Sequence, residues 1–142
     1  MACLTERGEY SKTFRSSQIA AQIAAALDLF LLDVGRYPTE DEGIEALVEE
    51  QTAISNWRGP YLRKKEIPLD PWGRPYAYLN IAAAGGIGDV RKDKNLNPLN
   101  TDFDLYSLGE DGASASPLTA KNSRDDIVRA NNGAYIGLGE DY

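Results

Sequence analysis

SQIAAQIAAALDLFLLD, residues 17–33, is the stretch on which the rest of the chain depends. Its large apolar side chains fall at Ile19, Ile23, Leu27, Phe30 and Leu31, spacings of three and four that line one face of an α-helix. Ala20, Ala21, Ala24, Ala25 and Ala26 fill the intervals with the strongest helix former. Gly35 supplies the left-handed residue that ends a helix, and Pro38 blocks its resumption. A helix this apolar is not stable alone in water, so later parts of the chain must cover its stripe.

Working outward, GRYPTEDEG (residues 35–43) carries a capping box, Thr39 with Glu42, which predicts a second helix over residues 40–49 with Ile44, Leu47 and Val48 inward. From Asn56 the composition changes, with Pro60, Pro68, Pro71 and Pro75 close together. Such a segment cannot be helical and reads as an ordered loop, with Trp57, Tyr61 and Trp72 as packing anchors and a turn at Asp70-Pro71-Trp72-Gly73. Residues 76–81 and 103–108 read as strands, and residues 125–128 begin a third. Tyr135, Ile136 and Leu138 suit an edge strand. Residues 82–101 and 113–124 are long polar loops. One domain spans residues 1–142: residues 1–16 as a mobile or added extension, 17–34 as helix, 35–75 as second helix and proline-rich loop, 76–142 as sheet and C-terminal loops. The fold class is α+β.

Composition narrows the function. A chain of 142 residues can bury about two thirds of its unfolded surface. The net charge of -7 disfavours nucleic acid and anionic membranes as partners and favours cations. With no histidine and only Cys3, a Ser-His-Asp triad, a zinc cluster and an internal disulfide are excluded. Residues 19–32, interrupted by Gln22 and Asp28, fall short of the roughly 20 residues of a spanning helix, so no segment is expected to cross a membrane and the chain is expected to be soluble.

The order of motifs says more than any one of them. LDLFLLDVGRYPTEDEGIEALVE, then NWRGPYL, PLDPWGRPYAY, DFDLYSLGEDG and a late DDI closely resemble the major pseudopilins of bacterial type II secretion systems. The resemblance covers residues 27–81, 102–112 and 125–127. It implies a pilin-like fold, a long N-terminal helix on a small antiparallel sheet, closed by a calcium-stabilised C-terminal loop. Within that loop it implies the Leu108 carbonyl and the carboxylates of Asp111 and Asp126 as ligands, with Asp125 as competitor for the last. It also implies a non-enzymatic subunit that self-associates into a periplasmic pseudopilus, with minor pseudopilins and other secretion components as partners. Members begin with a hydrophobic, glutamate-bearing helix that anchors them in the inner membrane. That segment is absent here, so the chain reads as a soluble fragment of an anchored protein.

Calcium takes six to eight oxygen ligands, and glycines beside Asp111 let backbone oxygens turn inward. Read without the resemblance, Asp111 is more often a turn former and Asp125 a helix or turn cap. A type IV pilin or minor pilin-like subunit is an alternative, against which the motif order and the lack of a C-terminal cysteine pair argue. A secreted hydrolase using two of Asp102, Asp104, Glu110 and Asp111 requires a cleft and one carboxyl of raised pKa. Arg63, Lys64 and Lys65 form a basic patch that could meet Glu40, Asp41 and Glu42 of a neighbouring subunit.

Overall fold

The computed structural model describes residues 3–52, 54–63, 66–81, 99–109 and 127–138. Helix α1 runs Cys3–Val34. It starts well before the expected residue 17: residues 3–16 hold no proline, and the single glycine there, Gly8, does not interrupt the helix. Ala20, Ile23, Ala26, Leu27 and Phe30 are buried, so the expected stripe is the inner face, with Ile19 packed at its edge. The helix ends as the sequence indicates: Gly35 has φ +89° and its N–H donates to the Leu31 carbonyl at 2.9 Å.

Lys12–Val34 is 23 residues long and apolar enough, by length and composition, to cross a membrane. This corrects the expectation on length, because the helix is continuous over Lys12–Val34 and not only over residues 19–32; the core helix of a soluble fold meets the same criterion. In the fold, 33 % of its most apolar window is buried.

The second helix is also corrected. The capping box forms, with the Thr39 N–H donating to Glu42 Oε1 at 2.9 Å and the Glu42 N–H to Thr39 Oγ1 at 3.3 Å. It caps a single turn, closed by the Gly43 N–H on the Thr39 carbonyl at 2.8 Å. Gly43 then takes φ +64°, ψ -177°, which breaks the helix, and the chain resumes as a short 3-10 helix at Ile44–Leu47. A glycine inside the expected helix was the signal for this break.

The proline-rich segment is anchored to these elements. The Trp57 indole donates to the Ala46 carbonyl at 2.6 Å, the Tyr61 N–H to the Leu47 carbonyl at 2.7 Å, and the Tyr61 hydroxyl to Asp33 Oδ2 at 2.8 Å. The Tyr61 ring meets Phe30 edge-on at 5.7 Å.

Strands β1 (Ala77–Asn80), β2 (Phe103–Ser107), β3 (Ile127–Ala130) and β4 (Tyr135–Leu138) form one antiparallel sheet in chain order. The edge strand expected from Tyr135, Ile136 and Leu138 is therefore β4. Helix α1 packs on this sheet and shares its core with Tyr76, Phe103, Leu105, Ile44 and Leu47.

Candidate functional site

The C-terminal loop begins where β2 ends. The last ladder pairs are Tyr106↔Val128 and Ser107↔Ile127, so Leu108 is the residue with which β2 leaves the sheet. Leu108, half-buried, is described; Asp111, Asp125 and Asp126 lie outside the described residues, as do Glu110, Lys64 and Lys65. Among the described residues no group of three or more acidic or cysteine side chains is gathered for a metal.

The turn at residues 70–74 holds the mouth of the loop. Asp70, only 3 % exposed, accepts the Trp72 N–H at 3.1 Å and the Arg74 N–H at 2.8 Å on Oδ1. Its Oδ2 accepts the hydroxyl of buried Ser107 at 2.6 Å. The Ser107 oxygen in turn accepts the Gly109 N–H at 3.1 Å, and Arg74 Nη1 donates to the Gly109 carbonyl at 3.0 Å. Proline at the second position and glycine at the fourth, with Gly73 at φ +86°, explain why this segment turns here. The indole Nε1 of Trp72 is buried and has no hydrogen-bond partner among the described residues.

A second polar cluster, which no motif in the sequence marks, joins β2 to β3. Arg129, 3 % exposed, places Nη1 and Nη2 on the Asp102 carboxylate at 2.7 and 2.8 Å and donates to the Phe103 carbonyl at 3.0 Å. Its guanidinium lies 3.8 Å from the Phe103 ring centroid. Burial pushes the Asp102 carboxyl upward, but the Arg129 guanidinium and the Phe103 N–H outweigh it and hold the group below its ordinary value. Asn100 Nδ2 donates to Asp104 and to the Arg129 carbonyl, both at 2.9 Å, and Asn100 Oδ1 accepts the Asn132 N–H at 2.9 Å. Asp102 and Asp104, candidates for a hydrolase pair, thus serve as acceptors in a latch. The one signal available was an arginine inside an otherwise apolar β segment.

The acidic residues 40–42 are likewise engaged within the chain. Glu42 receives two guanidinium bonds from Arg36 at 2.6 and 2.9 Å, which hold its carboxyl below the usual value, and Glu40 Oε1 accepts the Asn80 N–H at 2.9 Å. Glu42 is thus paired within the chain, while Glu40 and Asp41 are exposed.

The sequence matches the model of the family described as type II secretion system (T2SS), protein G, over residues 4–92, a span that takes in residues 4–16 ahead of the apolar stripe. The type II secretion system core protein G of Pseudomonas aeruginosa is 43 % identical over 94 residues, 63 % of this chain and 54 % of that protein. The Aeromonas hydrophila core protein G is 37 % identical over 91 residues, 61 % of this chain and 51 % of that protein. The chain spans about half the length of these two relatives. The crystal structure of the major pseudopilin from the type 2 secretion system of enterohaemorrhagic Escherichia coli superimposes with a TM-score of 0.57 at 28 % identity, covering 88 % of this chain and 91 % of that one. A long helix on a four-stranded antiparallel sheet, with matching sequence along the helix and the proline-rich segment, places the chain in the type II secretion system protein G family, with a pilin-like α+β fold.

Proposed function

We propose that this chain is the periplasmic part of a repeating pseudopilus subunit of type II secretion, tethered to the inner membrane through its helix end and without catalytic residues of its own. The observation that carries this reading is the outer face of α1. Phe14, Leu29 and Leu32 are 54 %, 50 % and 79 % exposed, on a helix whose other face is already buried. A groove lined by Ala25, Leu29, Leu62 and Pro68 runs along it. A helix with apolar groups on both faces suits repeated head-to-tail packing, which builds a helical filament when rotation does not close a ring. Minor pseudopilins and other secretion components are the partners this role requires.

The test uses full-length protein in a host lacking its own protein G. Leu29→Glu and Leu32→Glu are expected to leave the fold of the purified domain intact and to abolish filament formation and export. Normal export by both variants would overturn assembly through this face.

The same reading gives the C-terminal loop a calcium ion, held by the Leu108 carbonyl, Asp111 and Asp126, with Asp125 as the competing carboxylate. The donor set fits a hard divalent cation, since every donor is oxygen and the carboxylates supply net negative charge. The loop mouth fits as well, because its Leu108 side is fixed by the turn at residues 70–74. Bound calcium would act as a staple, adding roughly 2.7 kcal/mol at a hundredfold excess over Kd. Melting in EDTA, calcium and magnesium tests it. A rise specific to calcium and absent in Asp111→Ala is expected, and identical melts in EDTA and calcium would remove the ion.

A further inference from the structure

We infer that Ser107 and Asp70 are positioning residues that aim the Leu108 carbonyl, the backbone ligand of the calcium reading above, on which this inference rests. The Leu108 C=O and the Gly109 N–H belong to one peptide unit. The one cis bond among the described residues is Gly59–Pro60, so this unit is trans and planar, and its C=O points opposite to its N–H. Whatever fixes the Gly109 N–H therefore fixes the Leu108 carbonyl.

That fixing group is the Ser107 hydroxyl. The neighbouring Asp70 carboxylate only accepts, so the single hydroxyl proton goes to Asp70 Oδ2 at 2.6 Å and a lone pair is left for the Gly109 N–H at 3.1 Å. Ser107 is fully buried, and Asp70 is itself held by two amides of its own turn. Both side chains are shielded from bulk solvent. On the far side of Gly109, which has φ +70°, Arg74 holds the next carbonyl at 3.0 Å. Two successive peptide planes are thus set by a turn more than thirty residues earlier in the chain. A ligand oriented before the cation arrives loses less freedom on binding, which raises affinity without adding a contact.

Ser107→Ala in the intact chain tests the inference with two readouts. In excess EDTA, hydrogen exchange at the Gly109 amide is expected to quicken about tenfold, a reading that needs no cation. By calorimetry with calcium alone as probe, Kd is expected to weaken about tenfold. Arg74→Ala should weaken Kd by a smaller factor, and Arg74→Lys, which keeps a donor, should restore it. A merely structural role would lower the melting temperature equally with and without calcium and leave Kd, measured well below melting, unchanged. Unchanged exchange at Gly109 overturns the relay. Faster exchange with an unchanged Kd overturns its role toward the cation. A parent protein that binds no calcium overturns the calcium reading itself and takes this role with it, while the exchange measurement still reports on the relay.

Discussion

Two regions of the molecule that meet at Phe103 are held by different physics. Toward α1, Ile23, Leu27, Phe30, Leu47, Phe103 and Leu105 form a continuous apolar core in which no single contact is directional. At the β2–β3 side, the fold depends on Arg129, Asp102, Asn100, Asp104 and Asn132, each of which requires its partners at a set distance. Loss of volume is partly relieved by relaxation of the neighbours, whereas loss of one partner in the latch leaves a buried polar group uncompensated. The apolar side should therefore fail in proportion to the atoms removed, and the polar side should fail abruptly.

Arg129→Met should show the largest effect. It strands Asp102 beside Phe103 and should cost about 3–5 kcal/mol in denaturant unfolding. Adding Asp102→Asn should recover part of that loss, and failure to recover any would mean that packing against Phe103, not charge, holds the corner. Leu27→Ala, which removes apolar volume alone, should cost about 3 kcal/mol, and Leu27→Met under about 1.5 kcal/mol. An equally large loss for both would contradict the graded behaviour expected of that side.

Between the two lies Tyr76, whose ring is in the apolar core and whose hydroxyl meets Ser16 Oγ at 2.9 Å. Burial pushes its phenol up to about 12. The neutral form is thus favoured by folding. Its contribution is present below the ordinary value of 10.0 and is lost as pH rises towards 12. Unfolding in denaturant should show this decline between those values, on the order of 1–2 kcal/mol from this group. Tyr76→Phe should shrink it without abolishing it, because burial also raises the phenols of Tyr37, Tyr61 and Tyr78. The smallest effect belongs to Glu42, half of the capping box and paired with half-exposed Arg36. Its lowered carboxyl stabilises the fold above the ordinary value of 4.5, and that contribution disappears as pH falls below it. Glu42→Gln should cost about 0.5–1 kcal/mol at neutral pH and almost nothing at pH 3.

The same contrast explains what the sequence could be made to say. Spacing exposed the inner face of α1, because Ile23, Leu27 and Phe30 repeat with the helix and burial follows periodicity. Trp57 and Tyr61 were identifiable as anchors because aromatic residues among prolines have few other uses. Gly43 was undervalued, since a capping box and an apolar triplet on either side outweighed one glycine, yet its positive φ ended the helix. Leu108 is singled out only by the resemblance of the motif around it. Nothing in the spacing of Asp70 and Ser107 indicated that they meet, nor that Arg129 folds back on Asp102, because such pairs depend on sheet register and not on local pattern.

Strand order that follows chain order has a consequence for synthesis. Each strand of the meander can pair as soon as its neighbour has emerged, with no long-range search. The helix is made first and covered last, since Phe30 must wait for Phe103. At about 5–20 residues per second, that delay is roughly 4–15 seconds of translation. Throughout it, Ile44, Leu47, Trp57 and Tyr61 are at hand to cover the apolar stripe but Phe103 and Leu105 are not, so the nascent helix keeps part of that surface open until the sheet arrives.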